Sequence, residues 1–230
     1  MPNVLITGAN RGLGLALAEH FASRHDTHVF ATTRDASTAS DLHAAAQRCA
    51  GRIEIIAVDV ASESSITALA GVLAAHEITL DVLINNAGTA SWTSFGEIDE
   101  ATSAEIMRVN ALGPVLVTQA LAGRIRDGGK IVNITSTLGS IERAASSWGL
   151  VYSMSKAALN MFSKILSIEL RDRKIAVLAL HPGWVRTRMG GDQAPLEIAQ
   201  SVEGMAKVID ALDLTTSGRY LTYEGESLPW

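Results

Sequence analysis

Val4-Leu-Ile-Thr-Gly-Ala-Asn-Arg-Gly-Leu-Gly-Leu-Ala-Leu-Ala-Glu-His-Phe21 joins two hydrophobic patterns through a glycine-rich turn. The apolar run Val4–Ile6 is short and continuous, as in a buried strand, and it stops at Thr7-Gly8. From Leu13 the apolar residues recur at helical spacing as far as Phe21. The stretch therefore predicts a strand, a tight turn and a helix.

The same alternation continues along the chain. Further strands are predicted at His28–Thr33, Ile53–Val58, Asp81–Asn85, Lys130–Thr135, Ala176–His181 and Arg219–Thr222. Further helices are predicted at Ala36–Cys49, Glu63–Ala75, Ala101–Arg126, Val151–Arg171 and Leu196–Leu212. Apolar strands that alternate with helix-length segments are typical of a parallel sheet with helices on both faces. The sequence predicts an α/β fold with a doubly wound, mostly parallel sheet of seven strands.

Composition limits the class of protein. The chain has 230 residues, of which 47% are hydrophobic and 19% charged, and no linker divides it, so one globular domain over residues 1–230 is expected. A net charge of −5 and the lack of a dense basic cluster argue against nucleic acid as a partner. No segment approaches the roughly 20 apolar residues that span a bilayer, and the start lacks a secretion signal. With Cys49 as the single cysteine, we expect a cytoplasmic protein with no disulfide, membrane or metal site.

Polar residues and glycines follow the predicted strands. They are Thr7-Gly8, Asp59, Asn85–Gly88, Ser136 and Pro182-Gly183. In a doubly wound sheet the ligand lies outside the carboxyl ends of the strands, which predicts one shared site. Turn formation by itself also favours Gly, Asn, Asp and Pro, and it could explain some of these positions.

Tyr152 and Lys156 lie one turn apart on the same face of a predicted helix. A free phenol has a pKa of about 10, so a tyrosine that exchanges a proton benefits from a nearby positive charge. The Lys156 ammonium would lower the pKa of Tyr152, and Ser136 could hydrogen-bond a substrate oxygen. The pattern predicts general acid/base chemistry.

Gly8, Gly12 and Gly14 have the spacing Gly-x-x-x-Gly-x-Gly between the first strand and the first helix. Without Cβ atoms, they would let a pyrophosphate approach the N–H groups at the helix N-terminus. The alternative is that the glycines form only a tight turn.

The cofactor prediction depends on two arginines. The second strand ends in Thr32-Thr33-Arg34 with no carboxylate for a ribose hydroxyl, and Arg11 adds a second guanidinium. Two guanidiniums suit a 2′-phosphate, so NADPH/NADP+ is predicted in preference to NADH. The alternative is that Arg34 is solvated or pairs with Asp35.

Taken together, these motifs resemble the short-chain dehydrogenase/reductase family over nearly the whole chain. The matching positions are Thr7–Gly14, Asp59-Val60, Asn85–Gly88, Asn110, Ser136, Tyr152, Lys156 and Pro182-Gly183. Ser136 and Tyr152 are 16 positions apart, a few more than is usual in the family. This extended segment is similar to that of the C-factor and sniffer-type carbonyl reductases, as are His181–Gly191, Ala194–Leu196 and Ser217–Trp230.

The resemblance implies a Rossmann fold, a carbonyl reductase activity and a set of residue roles. Tyr152 would be the proton donor, and Ser136 would hold and polarise the substrate oxygen. Lys156 would lower the pKa of Tyr152 and bind the nicotinamide ribose, and Asn110 would maintain a water-linked proton relay. The alternatives are that Ser136 caps a turn and that Asn110 satisfies backbone groups at a helix kink. His181 is expected to shape the turn before Pro182 rather than to act as a base.

The resemblance also implies the residues around the cofactor. They are Gly8, Asn10, Arg11, Gly12, Leu13, Gly14, Arg34, Asp59, Val60, Asn86, Ala87, Gly88, Tyr152, Lys156, Pro182, Gly183, Val185 and Thr187. Within this set Asp59 and Val60 would contact the adenine, and Val185 and Thr187 would hold the carboxamide.

The substrate would lie among Trp92, Ser136–Leu150, Trp184 and Arg188–Pro195. An apolar wall of Trp148, Trp184 and Met189 favours a small apolar aldehyde, ketone or quinone, although the tryptophans could instead pack the core or a subunit contact.

Two other functions stay open, a cofactor-binding, C-factor-like signalling protein and an NAD-linked alcohol dehydrogenase. The family resemblance also allows a homodimer or homotetramer through the helices at Ala101–Arg126 and Val151–Arg171.

Overall fold

All seven strands of the protein lie side by side in one sheet. The structure is a computed structural model that describes residues 1–230. Its strands are β1 (Asn3–Ile6), β2 (His28–Thr33), β3 (Ile53–Ala57), β4 (Leu80–Asn85), β5 (Ile125–Ile134), β6 (Ala176–His181) and β7 (Arg219–Thr222). Their order is β3-β2-β1-β4-β5-β6-β7, and every neighbouring pair is parallel. The predicted doubly wound Rossmann fold is confirmed, and the strand order reverses between β1 and β4.

Helices cover both faces of this sheet. They are α1 (Gly12–Ser23), α2 (Ser40–Arg48), α3 (Glu63–Ala75), α4 (Glu100–Met107), α5 (Gly113–Leu121), α6 (Leu150–Glu169) and α7 (Ile198–Ala211). None of them is both long and apolar enough to cross a membrane.

The core has two parts because the strands bury side chains on both faces. On β1, Val4 and Ile6 pack into one cluster, which includes Phe21 of α1 and Met205 of α7. Leu5 points to the other face and joins the cluster beneath α3, α5 and α6. Burial on both faces explains why the strands are continuous apolar runs.

The predicted helix Ala101–Arg126 is wrong as a single element. The chain instead forms α4, a π-helical turn at Arg108–Leu112, and α5. β5 then begins at Ile125, five residues before the predicted Lys130, and its pairing with β4 is irregular near Leu80. Two adjacent glycines in this stretch, one with φ +77°, removed the apolar signal by which the strand start would be recognised.

Two other helices begin later than predicted. The chain at Ala36 is still in a turn, since Asp35 accepts hydrogen bonds from the amide (2.9 Å) and hydroxyl (2.6 Å) of Ser37. Leu196 forms a bridge with Val185 before α7 starts at Ile198. In both cases a local polar or tertiary contact outweighs helical spacing.

Buried hydrogen bonds tie α6 to the carboxyl ends of the central strands. Asn85 Nδ2 donates to Asn133 Oδ1 (2.8 Å), and Asn133 Nδ2 donates to Ser163 Oγ (2.8 Å). Nearby, Thr135 Oγ1 donates to Asn160 Oδ1 (2.7 Å). Since buried polar groups are costly to leave unpaired, this ladder fixes α6 against β4 and β5. It thereby fixes the helix that carries Tyr152 and Lys156.

Candidate active site

The turns that follow β1 and β4 are bonded directly to each other. The Thr7 hydroxyl accepts hydrogen bonds from the amides of Asn86 and Ala87, each at 3.0 Å. Asn86 Nδ2 donates back to the carbonyl oxygens of Thr7 (2.9 Å) and Gly8 (3.0 Å). The side chain of Asn86 is therefore occupied in holding the glycine turn.

Neighbouring atoms lie so close to Gly8 and Gly14 that only glycine fits at these two positions. Gly8 has φ +67°, and a Cβ there would lie 2.8 Å from the Cα of Ala87. A Cβ on Gly14 would lie 2.2 Å from the Gly8 carbonyl oxygen and 2.5 Å from Asn86 Nδ2. Neither position has room for any side chain.

The N-terminus of α1 is open to an anion. The helix begins at Gly12 (φ +56°), no side chain caps it, and its first turn carries no acidic residue. A Cβ on Gly12 would meet only Thr187, at 3.7 Å. Unpaired N–H groups and the helix dipole suit a phosphate at this end. The glycine turn and the N-terminus of α1 therefore fit the predicted dinucleotide. Asn10 and Leu13, in the same turn, are half-buried.

Arg11 and Arg34 are both exposed, and neither forms an ion pair. Of the two alternatives for Arg34, the pair with Asp35 does not form, and Asp35 bonds Ser37 instead. The exposed side chain agrees with the other alternative, a solvated Arg34. Both guanidiniums are available to a ligand.

Asp59 and Val60 lie in the turn between β3 and α3. The Asp59 carboxylate accepts a hydrogen bond from the Ala61 amide (2.9 Å), and its own amide donates to Ser65 Oγ (2.9 Å). Val60 is buried, and its carbonyl oxygen would lie 3.0 Å from a Cβ on Gly113. The structure thus gives both residues a local structural role at the cofactor end of the sheet.

Asn110 lies in the π-helical turn and is fully buried. Its side chain accepts from the Thr89 amide (2.8 Å) and donates to the Thr89 carbonyl oxygen (2.8 Å) and to Ser155 Oγ (3.0 Å). A Cβ on Gly88 would lie 3.4 Å from Asn110 Oδ1 and 3.8 Å from Lys156 Nζ. Asn110 therefore links the turn after β4 to α6, and it faces the same space as Lys156.

Tyr152 and Lys156 are buried together at the start of α6, and the Lys156 Nζ lies 5.7 Å from the centroid of the phenol ring. Burial raises the pKa of Tyr152 to about 12, and the neighbouring Ser136 hydroxyl acts in the opposite direction. Burial also lowers the pKa of Lys156 to about 8. The predicted lowering of the Tyr152 pKa by Lys156 is not seen, because desolvation by burial dominates and only Ser136 opposes it. At neutral pH the phenol keeps its proton and the lysine its charge.

Lys156 and Ser136 are each held by backbone groups. Lys156 Nζ donates to the Ile134 carbonyl oxygen at 2.9 Å, directly before the Ser136 turn. Ser136 Oγ accepts from the Leu138 amide at 3.2 Å, which leaves the hydroxyl proton free to donate.

His181 stabilises this turn and is no base. Its Nδ1 accepts from the Thr137 amide at 3.3 Å. Burial, with a smaller contribution from the Arg143 charge, lowers the pKa of His181 to about 4. The neutral ring therefore acts as an acceptor for the backbone next to Ser136.

The segment after β6 passes over the glycine turn. The Pro182 carbonyl oxygen accepts from Ser201 Oγ at 2.6 Å, and Gly183 has φ +88° with Leu196 against it. Val185 pairs with Leu196, while Thr187 reaches Gly12. The structure thus brings Thr187, one of the two predicted carboxamide-binding residues, to the start of α1.

Stacked tryptophans lie next to Tyr152. The rings of Trp92 and Trp148 are parallel within 6° with centroids 4.5 Å apart, and Trp92 meets Tyr152 edge to face at 5.3 Å. Gly149 (φ +64°) permits this, since a Cβ there would lie 3.0 Å from Trp92. The two tryptophans are 36% and 51% exposed, so they line the cleft rather than fill the core. Trp184 is exposed too, and it bonds the Gly190 carbonyl oxygen (2.8 Å) instead of joining the stack.

Sequence reasoning named Thr7, Trp92 and Trp148 but missed the contacts that they make. The Trp92–Trp148 stack and the support of Ser136 by Tyr220 depend on contacts across distant segments. The bonds of Thr7 did carry a signal, because a polar residue that ends a buried strand needs a partner.

The sequence of this chain is similar to those of known proteins. A family model described as short chain dehydrogenase matches residues 2–197. The C-signal protein of Myxococcus xanthus is 43% identical over 154 residues, which cover 66% of this chain and 93% of that protein.

Solved structures are similar over the whole chain. The NADPH-bound carbonyl reductase from chicken fatty liver is 34% identical with a TM-score of 0.93, covering 100% of this chain and 99% of that one. The carbonyl reductase Sniffer of D. melanogaster is 29% identical with a TM-score of 0.95, covering 100% of both chains.

Gly14→Ala is expected to lower the free energy of unfolding by about 2 kcal/mol or more, because its Cβ collides with Gly8 and Asn86. The matched control is Gly71→Ala in α3, where a Cβ meets nothing within 4 Å. That change should raise stability by about 0.5–1 kcal/mol through helix propensity. Urea denaturation measures both, and equal effects would contradict the close approach at Gly14.

The stability of the wild type relative to Lys156→Met should rise with pH between about 8 and 10.5. In that range the folded lysine is neutral while the unfolded lysine is still protonated, so the unfolded state binds more protons. The full change is roughly 3 kcal/mol. Urea denaturation across this pH range measures it, and a constant difference between the two proteins would disprove the lowered pKa.

Proposed function

Because this chain belongs to the short-chain dehydrogenase family, we propose that it is an NADPH-dependent reductase that converts an aldehyde, ketone or quinone to an alcohol. The observation that carries the proposal is the buried, protonated phenol of Tyr152 beside the Ser136 hydroxyl, with the Lys156 ammonium close by. Burying a phenol and an ammonium is costly, and a nucleotide-binding protein without chemistry has no need of them.

The cofactor would lie along the carboxyl ends of β1, β2 and β4. Gly8, Gly12 and Gly14 would admit the pyrophosphate at the N-terminus of α1, and Arg11 and Arg34 would hold the 2′-phosphate. Asp59-Val60, Asn86–Gly88, Pro182-Gly183, Val185 and Thr187 complete the set proposed to contact it. When bound, NADPH supplies the hydride for the carbonyl carbon.

The protein's own side chains would manage the proton. Ser136 Oγ would donate to the substrate oxygen and polarise the carbonyl, since the bond from the Leu138 amide uses only a lone pair and leaves the hydroxyl proton free. Tyr152 then protonates the same oxygen as negative charge develops on it. A raised pKa keeps Tyr152 in the acid form at neutral pH, which favours the direction of reduction.

Lys156 and Asn110 support that step. The buried Lys156 charge stabilises the phenolate left after proton transfer, and the pKa of about 8 keeps the amine charged at neutral pH. Asn110 fixes Thr89 and Ser155 around the space next to Gly88, where a water-linked relay could resupply the proton.

The substrate would lie against the Trp92–Trp148 stack. Its exposed indole surface next to Tyr152 suits a carbonyl compound with a flat apolar body. Met189 is also partly exposed and could extend this wall.

A second candidate is a cofactor-binding signalling protein, which the similarity to the C-signal protein favours. An NAD-linked alcohol dehydrogenase is a further alternative, and it would not use Arg11 and Arg34 to bind a 2′-phosphate.

Self-association of the chain stays a prediction too. It is supported by apolar side chains that α6 leaves exposed, namely Met154, Met161, Ile165 and Ile168.

Tyr152→Phe is expected to lower carbonyl reduction by about 10²–10⁴-fold, because the ring remains while the transferable proton is lost. The assay follows NADPH absorbance over a panel of aldehydes, ketones and quinones, with NADPH binding as the control. Equal rates would rule out Tyr152 as the donor. NADPH binding by the wild type with no turnover of any carbonyl would favour the signalling candidate.

Arg34→Asp should weaken NADPH binding by at least about tenfold and leave NADH binding unchanged or improved, since it removes the phosphate partner. Titration with each nucleotide measures the preference. Arg171→Asp makes the same charge change at another exposed arginine and should not alter it. An unchanged preference in Arg34→Asp would refute its role.

Trp148→Ala should lower kcat/KM for flat aromatic carbonyls by about tenfold and leave that for a short aliphatic aldehyde nearly unchanged, because only the former uses the indole face. Phe95→Ala, at a side chain that is 82% exposed, is the control. A loss of the same size for both kinds of substrate would count against the apolar wall.

A further inference from the structure

The turn that carries Ser136 is held by residues from other parts of the fold. Three backbone groups beyond Ser136 are bonded, in the pairs Thr137 N with His181 Nδ1, Gly139 O with Asn160 Nδ2, and Ile141 N with the Trp230 carbonyl oxygen. Ser136 itself is held by its carbonyl oxygen, which accepts from the Tyr220 hydroxyl.

Tyr220 reaches Ser136 from a strand that is not its neighbour. It lies on β7, and β6 separates that strand from β5, which ends just before Ser136. The Tyr220 side chain is only 2% exposed, and burial raises the pKa of its phenol to about 12. The phenol therefore stays protonated and can act as a donor. Its ring stacks on Trp230, with centroids 5.4 Å apart.

The hydrogen bond from Tyr220 holds the backbone of Ser136, and this backbone orients the Ser136 side chain. The Ser136 carbonyl oxygen accepts from Gly139 N (2.8 Å) as well as from Tyr220, and the residue is extended at φ −152° and ψ 148°. A Cβ on Gly139 would lie 2.8 Å from the Lys156 carbonyl carbon, so the turn is also in close contact with α6. The held backbone sets the direction of the Cα–Cβ bond of Ser136, and the Leu138 amide, which donates to Oγ at 3.2 Å, holds the hydroxyl beside Tyr152.

We propose that Tyr220 is a positioning residue: its hydroxyl fixes the main chain of Ser136, and thereby the orientation in which the Ser136 hydroxyl meets the substrate carbonyl. This inference rests on the proposed reductase function. It assigns a role in the reaction to the last strand of the sheet, within the segment Ser217–Trp230, for which the family resemblance implied no role.

Tyr220→Phe tests the proposal with little change in packing, since the ring and its stack on Trp230 remain. We expect kcat for carbonyl reduction to fall about tenfold, because a small misplacement of a substrate-orienting group is costly. The Kd of NADPH should change by less than about twofold, as no cofactor-contacting group is altered. Tyr223→Phe removes the same hydroxyl from the neighbouring tyrosine and is the control.

A double-mutant comparison separates positioning from a general loss of stability. If Tyr220 acts through Ser136, Tyr220→Phe should lower kcat no further in a Ser136→Ala background. Equal tenfold losses in both backgrounds, or a wild-type kcat in Tyr220→Phe, would overturn the proposal.

Amide hydrogen exchange gives a readout that needs no turnover. Residues 136–141 should exchange faster in Tyr220→Phe than in the wild type, and at the wild-type rate in Tyr223→Phe. Unchanged exchange in Tyr220→Phe would also overturn the proposal. If the wild type reduced no carbonyl, the proposed function would fail, and the exchange comparison would still decide whether Tyr220 holds the turn.

Discussion

The hydrogen bonds between Thr7 and Asn86 join the first and fourth strands at the point where the strand order reverses. They bring Gly8 so close to Ala87 that no side chain fits between them. This contact leaves the N-terminus of α1 open at one side of the cleft and places Gly88 beside Asn110 and Lys156 at the other. The close approach of these two backbone segments therefore shapes the cleft, and the candidate catalytic residues lie along it.

A second constraint is the burial of polar groups around α6. The ladder Asn85–Asn133–Ser163 and the pair Thr135–Asn160 leave that helix little freedom against the sheet. Burial at the start of this helix raises the pKa of Tyr152 and lowers that of Lys156. One set of packing interactions thus fixes both the position and the protonation of the proposed proton donor.

Much of the fold was predictable because apolar runs and turn residues are local signals. The bounds of β2, α3, β6 and β7 agree with the prediction to the residue. The prediction failed at Ala101–Arg126, where a π-helical turn divides the helix and β5 begins among residues with no apolar pattern. These features depend on the burial of Asn110 and on pairing with β4, and neither is encoded by spacing along the chain.

The sequence by itself determined the doubly wound fold and the glycine turn, and it predicted the chemistry proposed for Ser136, Tyr152 and Lys156, because residue type and short-range spacing suffice for these. Only the tertiary structure decided which side chains form hydrogen bonds with distant backbone groups, as those of Asn86, Asn110 and His181 do. It also decided that Trp92 and Trp148 stack beside Tyr152, and that Tyr220 holds Ser136. The physical reason is that hydrogen bonding, stacking and desolvation depend on neighbours that only the folded chain brings together.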